Sequence, residues 1–253
     1  MTSKEAERAL WDRLRAHTRS RIGLGRAGDA LDTAAVLDLS AAHAAARDAV
    51  HSAVDIDAVV AGLREQVPEV PIVASQAPDR STYLRRPDLG RMPDDLSGLP
   101  KSSPDIAIVV CDGLSARAVT DHAVPMVAAL LAALPPGTTT EVVVATQARV
   151  ALGDHIAAAL GADAVVVLIG ERPGLSVADS LGAYLSYRPR PGMADSERNC
   201  VSNIHPHGLG YPRAAAIVVA LLAGAKALGR SGVDLKDTSV DELISGEAVA
   251  ELH

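Results

Sequence analysis

The chain has 253 residues, 48% of them hydrophobic, and a formal net charge of −7. That length and apolar content suffice for a sizeable core, while the acidic balance argues against a nucleic-acid backbone as the main partner, because such binding is carried by clustered positive charge. With no Phe and one Trp, Trp11, packing must rest on Ala, Val and Leu, and there is no aromatic platform for stacking bases.

In chain order, Ala6, Leu10, Trp11 and Leu14 recur at helical spacing among charges and predict an amphipathic helix over about 4–20. Arginines cluster here (Arg13, Arg15, Arg19, Arg21, Arg26) and again at Arg80, Arg85, Arg86 and Arg91, patches suited to an acidic subunit or an anionic ligand. A second helix is predicted over 33–54 and a third over 57–66, capped by Asp55. A short strand over 68–75 ends this helical N-terminal region, 1–75, and a segment rich in Pro, Asp and Arg, 76–104, connects it to the rest.

From Asp105 the pattern is regular: strands over 106–110, 141–146 and 164–169 alternate with helices over 115–134 and 154–160, and a last helix spans 211–228. Near-continuous Val and Ile in strands that alternate with helices predict an α/β fold, a Rossmann-like doubly wound parallel sheet, over 105–253. The final 20 or so residues read as an acidic tail. Cys111 and Cys200 give neither a disulfide framework nor metal-ligand spacing. The first residues carry no secretory pattern, and no uninterrupted apolar run of about 18 residues marks a membrane span. A reducing, cytoplasmic setting is expected.

The stretch from Ile169 to His205 is the most informative. The strand over 164–169 stops at Gly170-Glu171, which delivers polar groups to the carboxyl edge of the sheet, where such folds bind ligands. The segment beyond Glu171 is too polar for a minimal connection and too rich in Tyr, Leu and Pro for disorder, so it is read as an ordered functional loop. Glu171 is either half of a structural Glu–Arg pair with Arg172 in a tight turn, or an acceptor for the amides or hydroxyls of a large ligand; convergence of the strand ends favours the second. Asp112, after the first strand of this part, is either a helix cap or a group aimed at a ligand.

Gly23-Leu-Gly25-Arg-Ala-Gly28 has the spacing of a dinucleotide fingerprint, yet no buried strand precedes it, and helix-terminating glycines explain it better. His205-Pro-His207 lacks the third ligand that a metal needs. No nucleophile elbow and no phosphate-binding loop of the Walker type appears. No catalytic residue and no metal ligand is therefore assigned.

Arg149-Val150, the run Ile169-Gly-Glu-Arg-Pro-Gly-Leu175, Asp179-Ser-Leu-Gly-Ala-Tyr184 and Arg198-Asn-Cys-Val-Ser-Asn-Ile-His205 resemble the small subunit of ethanolamine ammonia-lyase. So do Gly25-Arg-Ala-Gly28, Tyr83-Leu-Arg-Arg-Pro-Asp-Leu-Gly-Arg91 and Asp112-Gly-Leu-Ser115. The likeness covers the chain from about Arg13 to Leu228.

The resemblance implies an adenosylcobalamin-dependent lyase that converts ethanolamine to acetaldehyde and ammonia by a radical mechanism. In that family homolysis of the cobalt–carbon bond starts the reaction, and the hard chemistry is the cofactor's. It implies a hetero-oligomer in which the large subunit binds ethanolamine and this chain covers the cobalamin at the interface. The cofactor contacts it implies are Val150 against the corrin, Glu171 accepting hydrogen bonds from its amides, and Cys200 close to the ring. Asp112, Ser115 and Arg172 follow from position alone. The sequence has no Asp-x-His-x-x-Gly run, so the base-on form of the cofactor is expected. It also lacks the longer N-terminal extension that directs some members into a bacterial microcompartment, which leaves encapsulation unsupported. The alternatives are an architectural subunit without a cofactor role and an independent nucleotide-binding enzyme, the latter resting on the glycine trio and the fold.

Overall fold

A computed structural model describes residues 3–26 and 28–236; the expected acidic tail lies outside the described residues. The chain builds α1 (Ser3–Arg15), α2 (Thr33–His51), α3 (Ile56–Arg64), β1 (Ile72–Ala74), α4 (Arg80–Arg85), β2 (Ile106–Cys111), α5 (Ala116–Ala133), β3 (Thr140–Thr146), α6 (Leu152–Leu160), β4 (Ala164–Gly170), β5 (Leu181–Tyr187), β6 (Asn199–Ile204) and α7 (Tyr211–Leu228). The fold is α/β. Asp55 caps α3 by accepting from the Ala58 amide, and α7 runs over the residues expected from the sequence.

One six-stranded sheet holds the strands in the order β1-β3-β2-β4-β5-β6. The first four are parallel, but β5 runs antiparallel to β4, and β6 antiparallel to β5. The sheet is therefore mixed, and the all-parallel expectation is corrected. The reason is in the connection: residues 171–180 contain no helix, and a return to parallel pairing needs a crossover of a dozen residues or more. The stretch expected as one long loop accordingly contains two strands.

Alternate side chains of the central strands feed two cores. On one face Ile108, Val110, Val142, Val166 and Leu168 pack with residues of α3, α5 and α7 such as Leu63, Met126 and Val218. On the other, Ala107, Val109, Val143, Val165 and Val167 meet Leu152, Ile156 and Leu160 of α6. Strands buried on both faces read as continuous apolar runs, which is why β2, β3 and β4 are visible in the sequence. α7 is long and apolar enough to cross a membrane by length and composition alone, but Ala214, Val218, Leu221 and Ala225 turn one side of it into the core.

The N-terminal helices pack sparingly: α2 buries only Ala49, and Leu10, Leu14 and Leu37 are exposed. The three glycines lie in the connector between α1 and α2 at positive φ of 55°, 75° and 66°, away from any strand. They do not end α1, which stops at Arg15. At Gly23 the Trp11 ring occupies the space a Cβ would need, so this glycine serves local packing.

Behind the sheet edge, Arg198 and Asp154 form a buried pair, 2% and 1% exposed. Nη1 of Arg198 lies 2.9 and 2.7 Å from the two Asp154 oxygens and 3.1 Å from Ser186 Oγ, and Nη2 donates to the Met193 carbonyl at 2.7 Å. One guanidinium thus ties α6 to β5 and to the segment entering β6. Burial pushes the Asp154 carboxyl above its ordinary range, and Arg198 opposes that shift.

Candidate functional site

The carboxyl ends of β2, β3 and β4 open on a cavity of about 1040 Å³. Two glycines make its rim possible. A Cβ on Gly113, at φ +57°, would strike the Gly170 carbonyl, and one on Gly170 would strike the Ser115 carbonyl. The loop after β2 and the end of β4 therefore meet backbone to backbone, joined by the Leu114 amide donating to the Gly170 carbonyl at 2.8 Å. This contact sets the direction in which Glu171 leaves the strand.

Val150, Glu171 and Cys200 all line this one cavity. Val150 is half-buried at the entry to α6 and packs against the core of that face. Glu171 makes no ion pair with Arg172; its Oε2 accepts from the Asn203 amide at 3.2 Å. Its Oε1 has no hydrogen-bond partner among the described residues. Cys200 sits on β6, not in a loop, opposite Tyr184 of β5, with Sγ 3.3 Å from Ser202 Oγ. Cys200 is free and exposed; desolvation raises its thiol pKa, which disfavours the thiolate that a nucleophile needs.

Of the three residues nominated by position, only Arg172 lines the cavity, at its exposed lip. Asp112 is neither a helix cap nor free for a ligand. Its carboxylate accepts from the amides of Gly113, Gln147 and Ala148 at 3.0, 2.9 and 2.8 Å, with Arg80 at 3.5 Å. Asp112 thereby clamps the end of β2 to that of β3; burial raises its pKa, and these donors pull it back. Ser115 caps α5 through the Ala118 amide and donates to the Ala178 carbonyl. His205 is held within its own turn, with Nε2 3.0 Å from Asn203 Oδ1 and Nδ1 accepting from the His207 amide.

Sequence reasoning misses Tyr184 and Arg149 as members of the cavity wall. Tyr184 is half-buried on β5, and Arg149 lies 4.2 Å above the ring of the buried Tyr83. Arg80 approaches the same ring at 5.0 Å, and the Tyr83 hydroxyl donates to the Ala148 carbonyl at 3.0 Å. Leu114, Val150, Ile169 and Tyr184 give the cavity an apolar floor, and charged groups stand around it: Asp88, Arg91, Arg149, Glu171, Arg172 and Asp195.

Fold and site together define an α/β protein with a ligand-sized cavity at the carboxyl edge of its sheet, the usual binding position in such folds. A sequence model of the ethanolamine ammonia-lyase light chain (EutC) family matches residues 8–236. The chain is 55% identical to the ethanolamine ammonia-lyase small subunit of Rhodococcus erythropolis, over 95% of each chain. It is 50% identical to that of Bradyrhizobium diazoefficiens, over 90% of each, and 46% identical to that of Pseudomonas syringae, over 95% of this chain and 88% of the relative. The chain belongs to the ethanolamine ammonia-lyase small-subunit family.

Proposed function

We propose that this chain is the cobalamin-covering subunit of an adenosylcobalamin-dependent ethanolamine ammonia-lyase, active in converting ethanolamine to acetaldehyde and ammonia only when joined to a large subunit that binds the ethanolamine. The observation that carries the reading is the convergence of Val150, Glu171 and Cys200, from three different segments, on one cavity at the sheet edge.

The residues present fit the group. A corrin is a broad, largely apolar ring fringed with amide side chains; the floor offers Leu114, Val150, Ile169 and Tyr184 to the ring, and Glu171 offers an oxygen without a hydrogen-bond partner among the described residues to an amide N–H. A charged acceptor makes that bond stronger than a neutral one would. Val150 and Cys200 would exclude water from the ring's edge. When bound, adenosylcobalamin supplies radical chemistry through its cobalt–carbon bond. This chain's contribution is binding and orientation, in the base-on form and in a cytoplasmic complex. In this reading the parallel strands β1 to β4, with helices on both faces, are a Rossmann-like core to which β5 and β6 are added so that Cys200 reaches the same cavity.

Glu171→Ala should weaken cobalamin binding by the assembled complex by about 1–3 kcal/mol, the loss expected for a charged hydrogen bond, measured by equilibrium dialysis. Unchanged affinity would favour the purely architectural role. Cys200→Ser, nearly isosteric, should leave both affinity and activity within about threefold, since only packing and a weak polar contact are asked of the thiol; loss of activity in an intact complex would contradict this.

A further inference from the structure

The charges around the cavity do not all find partners within the described residues. Arg198 is neutralised by Asp154, Arg91 lies 3.4 Å from Asp195, and Asp88 is paired with Arg86 at 2.7 Å. Arg172 stands at the exposed lip, open to water. Arg149 differs: it is half-buried, it has no ion-pair partner among the described residues, and the one hydrogen bond its side chain makes to them is a 3.3 Å contact from Nη2 to the Tyr83 carbonyl. Its Nε is buried without any acceptor among them. Stacking on Tyr83 at 4.2 Å fixes the side chain, and Nη1, which is not sealed off as Nε is, has no hydrogen-bond partner among the described residues, so it is the nitrogen open to an acceptor in the cavity.

The backbone beside it points the same way. The amides of Val150 and Ala151, both in the cavity wall, have no acceptor among the described residues, and α6 starts at Leu152 with no side-chain cap. A guanidinium next to uncapped amides at a helix start is a preorganised receptor for an anion.

Resting on the cobalamin reading above, we propose that Arg149, with the Val150 and Ala151 amides, binds the anionic phosphodiester of the cofactor's nucleotide tail. Glu171 then holds the amide-fringed ring, and Arg149 distinguishes a corrinoid that carries its nucleotide from one that does not. The two contacts are separable because they act on different parts of the ligand.

The test measures binding of cyanocobalamin and of dicyanocobinamide, which lacks the phosphodiester and the base, to the complex of this chain with its large subunit, by equilibrium dialysis read from the corrin absorption. Arg149→Met should weaken cyanocobalamin about 10- to 100-fold, the range for a lost charge-assisted hydrogen bond, and dicyanocobinamide less than about threefold; Glu171→Ala should weaken both. If Arg149→Met yields no stable complex, Arg149→Lys, which keeps the charge but not the fork, should show the same selective loss at smaller size. Equal weakening of the two ligands, or none, overturns the assignment of Arg149 while the cobalamin reading stands. A wild-type complex that binds neither corrinoid removes both together.

Discussion

Arg198→Met should destabilise the fold by about 3–5 kcal/mol, because it leaves the Asp154 carboxylate buried without its partner. For a protein of this size that is a fall of roughly 6–20 °C in melting temperature, measurable by thermal denaturation of the complex. Burial already raises the Asp154 pKa, with Arg198 opposing it, so removing the arginine raises it further. A carboxyl whose native pKa lies above its unfolded value costs nothing below the unfolded pKa and costs progressively more as the pH rises through the native one. The deficit of Arg198→Met should therefore be smaller at mildly acidic than at mildly alkaline pH. The double variant Asp154→Leu with Arg198→Met should recover much of the loss, as replacement of a whole buried pair by apolar groups is often neutral. A single variant with unaltered melting would show that the pair does not hold α6 to β5 and β6.

The second large effect belongs to Gly170. A methyl group there meets the backbone carbonyls of Asp112 and Ser115, which cannot rotate away as a side chain would. Gly170→Ala should cost about 3 kcal/mol, the upper part of the range for overpacking. It should also displace the end of β4 and with it Glu171, so that cobalamin retention falls even under conditions where the complex stays folded. Gly210→Ala is the control. Gly210 precedes α7 in extended backbone at φ −64°, a Cβ there meets open space, and neither stability nor retention should change by more than about 0.5 kcal/mol. Equal effects of the two substitutions would rule out the steric account of the rim.

The parts of the molecule legible in the sequence are those whose signal is local. The strands β2, β3 and β4 announce themselves by near-continuous Val and Ile, and α3 by its Asp55 cap. The edge of the sheet at Gly170-Glu171 follows from where an apolar run ends. β6 is hidden because half of its positions are polar: Asn199, which holds the Gly232 and Leu235 backbone, and Ser202 and Asn203 belong to a strand only by virtue of Val201 and Ile204, which turn into the core. Two spaced apolar residues are a weak signal.

Pairing across distance is beyond the reach of sequence reasoning. Asp112 has the local context of a cap or a ligand contact, and nothing near it reveals that the Gln147 and Ala148 amides consume its oxygens. Arg198 and Asp154 lie 44 residues apart and join only because β6 is brought alongside β5. The same antiparallel return brings Cys200 opposite Tyr184, and so into the cavity with Val150 and Glu171. The family resemblance singles out these three residues; the topology gives a physical reason for their meeting.

The most direct measurement is ammonia release from ethanolamine with added adenosylcobalamin, using this chain alone, the large subunit alone, and the two co-expressed, with the corrin spectrum of each sample recorded after gel filtration. Release and a retained corrin spectrum are expected only in the co-expressed sample. A well-formed complex that retains no corrin and releases no ammonia would contradict the proposed role, as would full activity and retention by the large subunit without this chain.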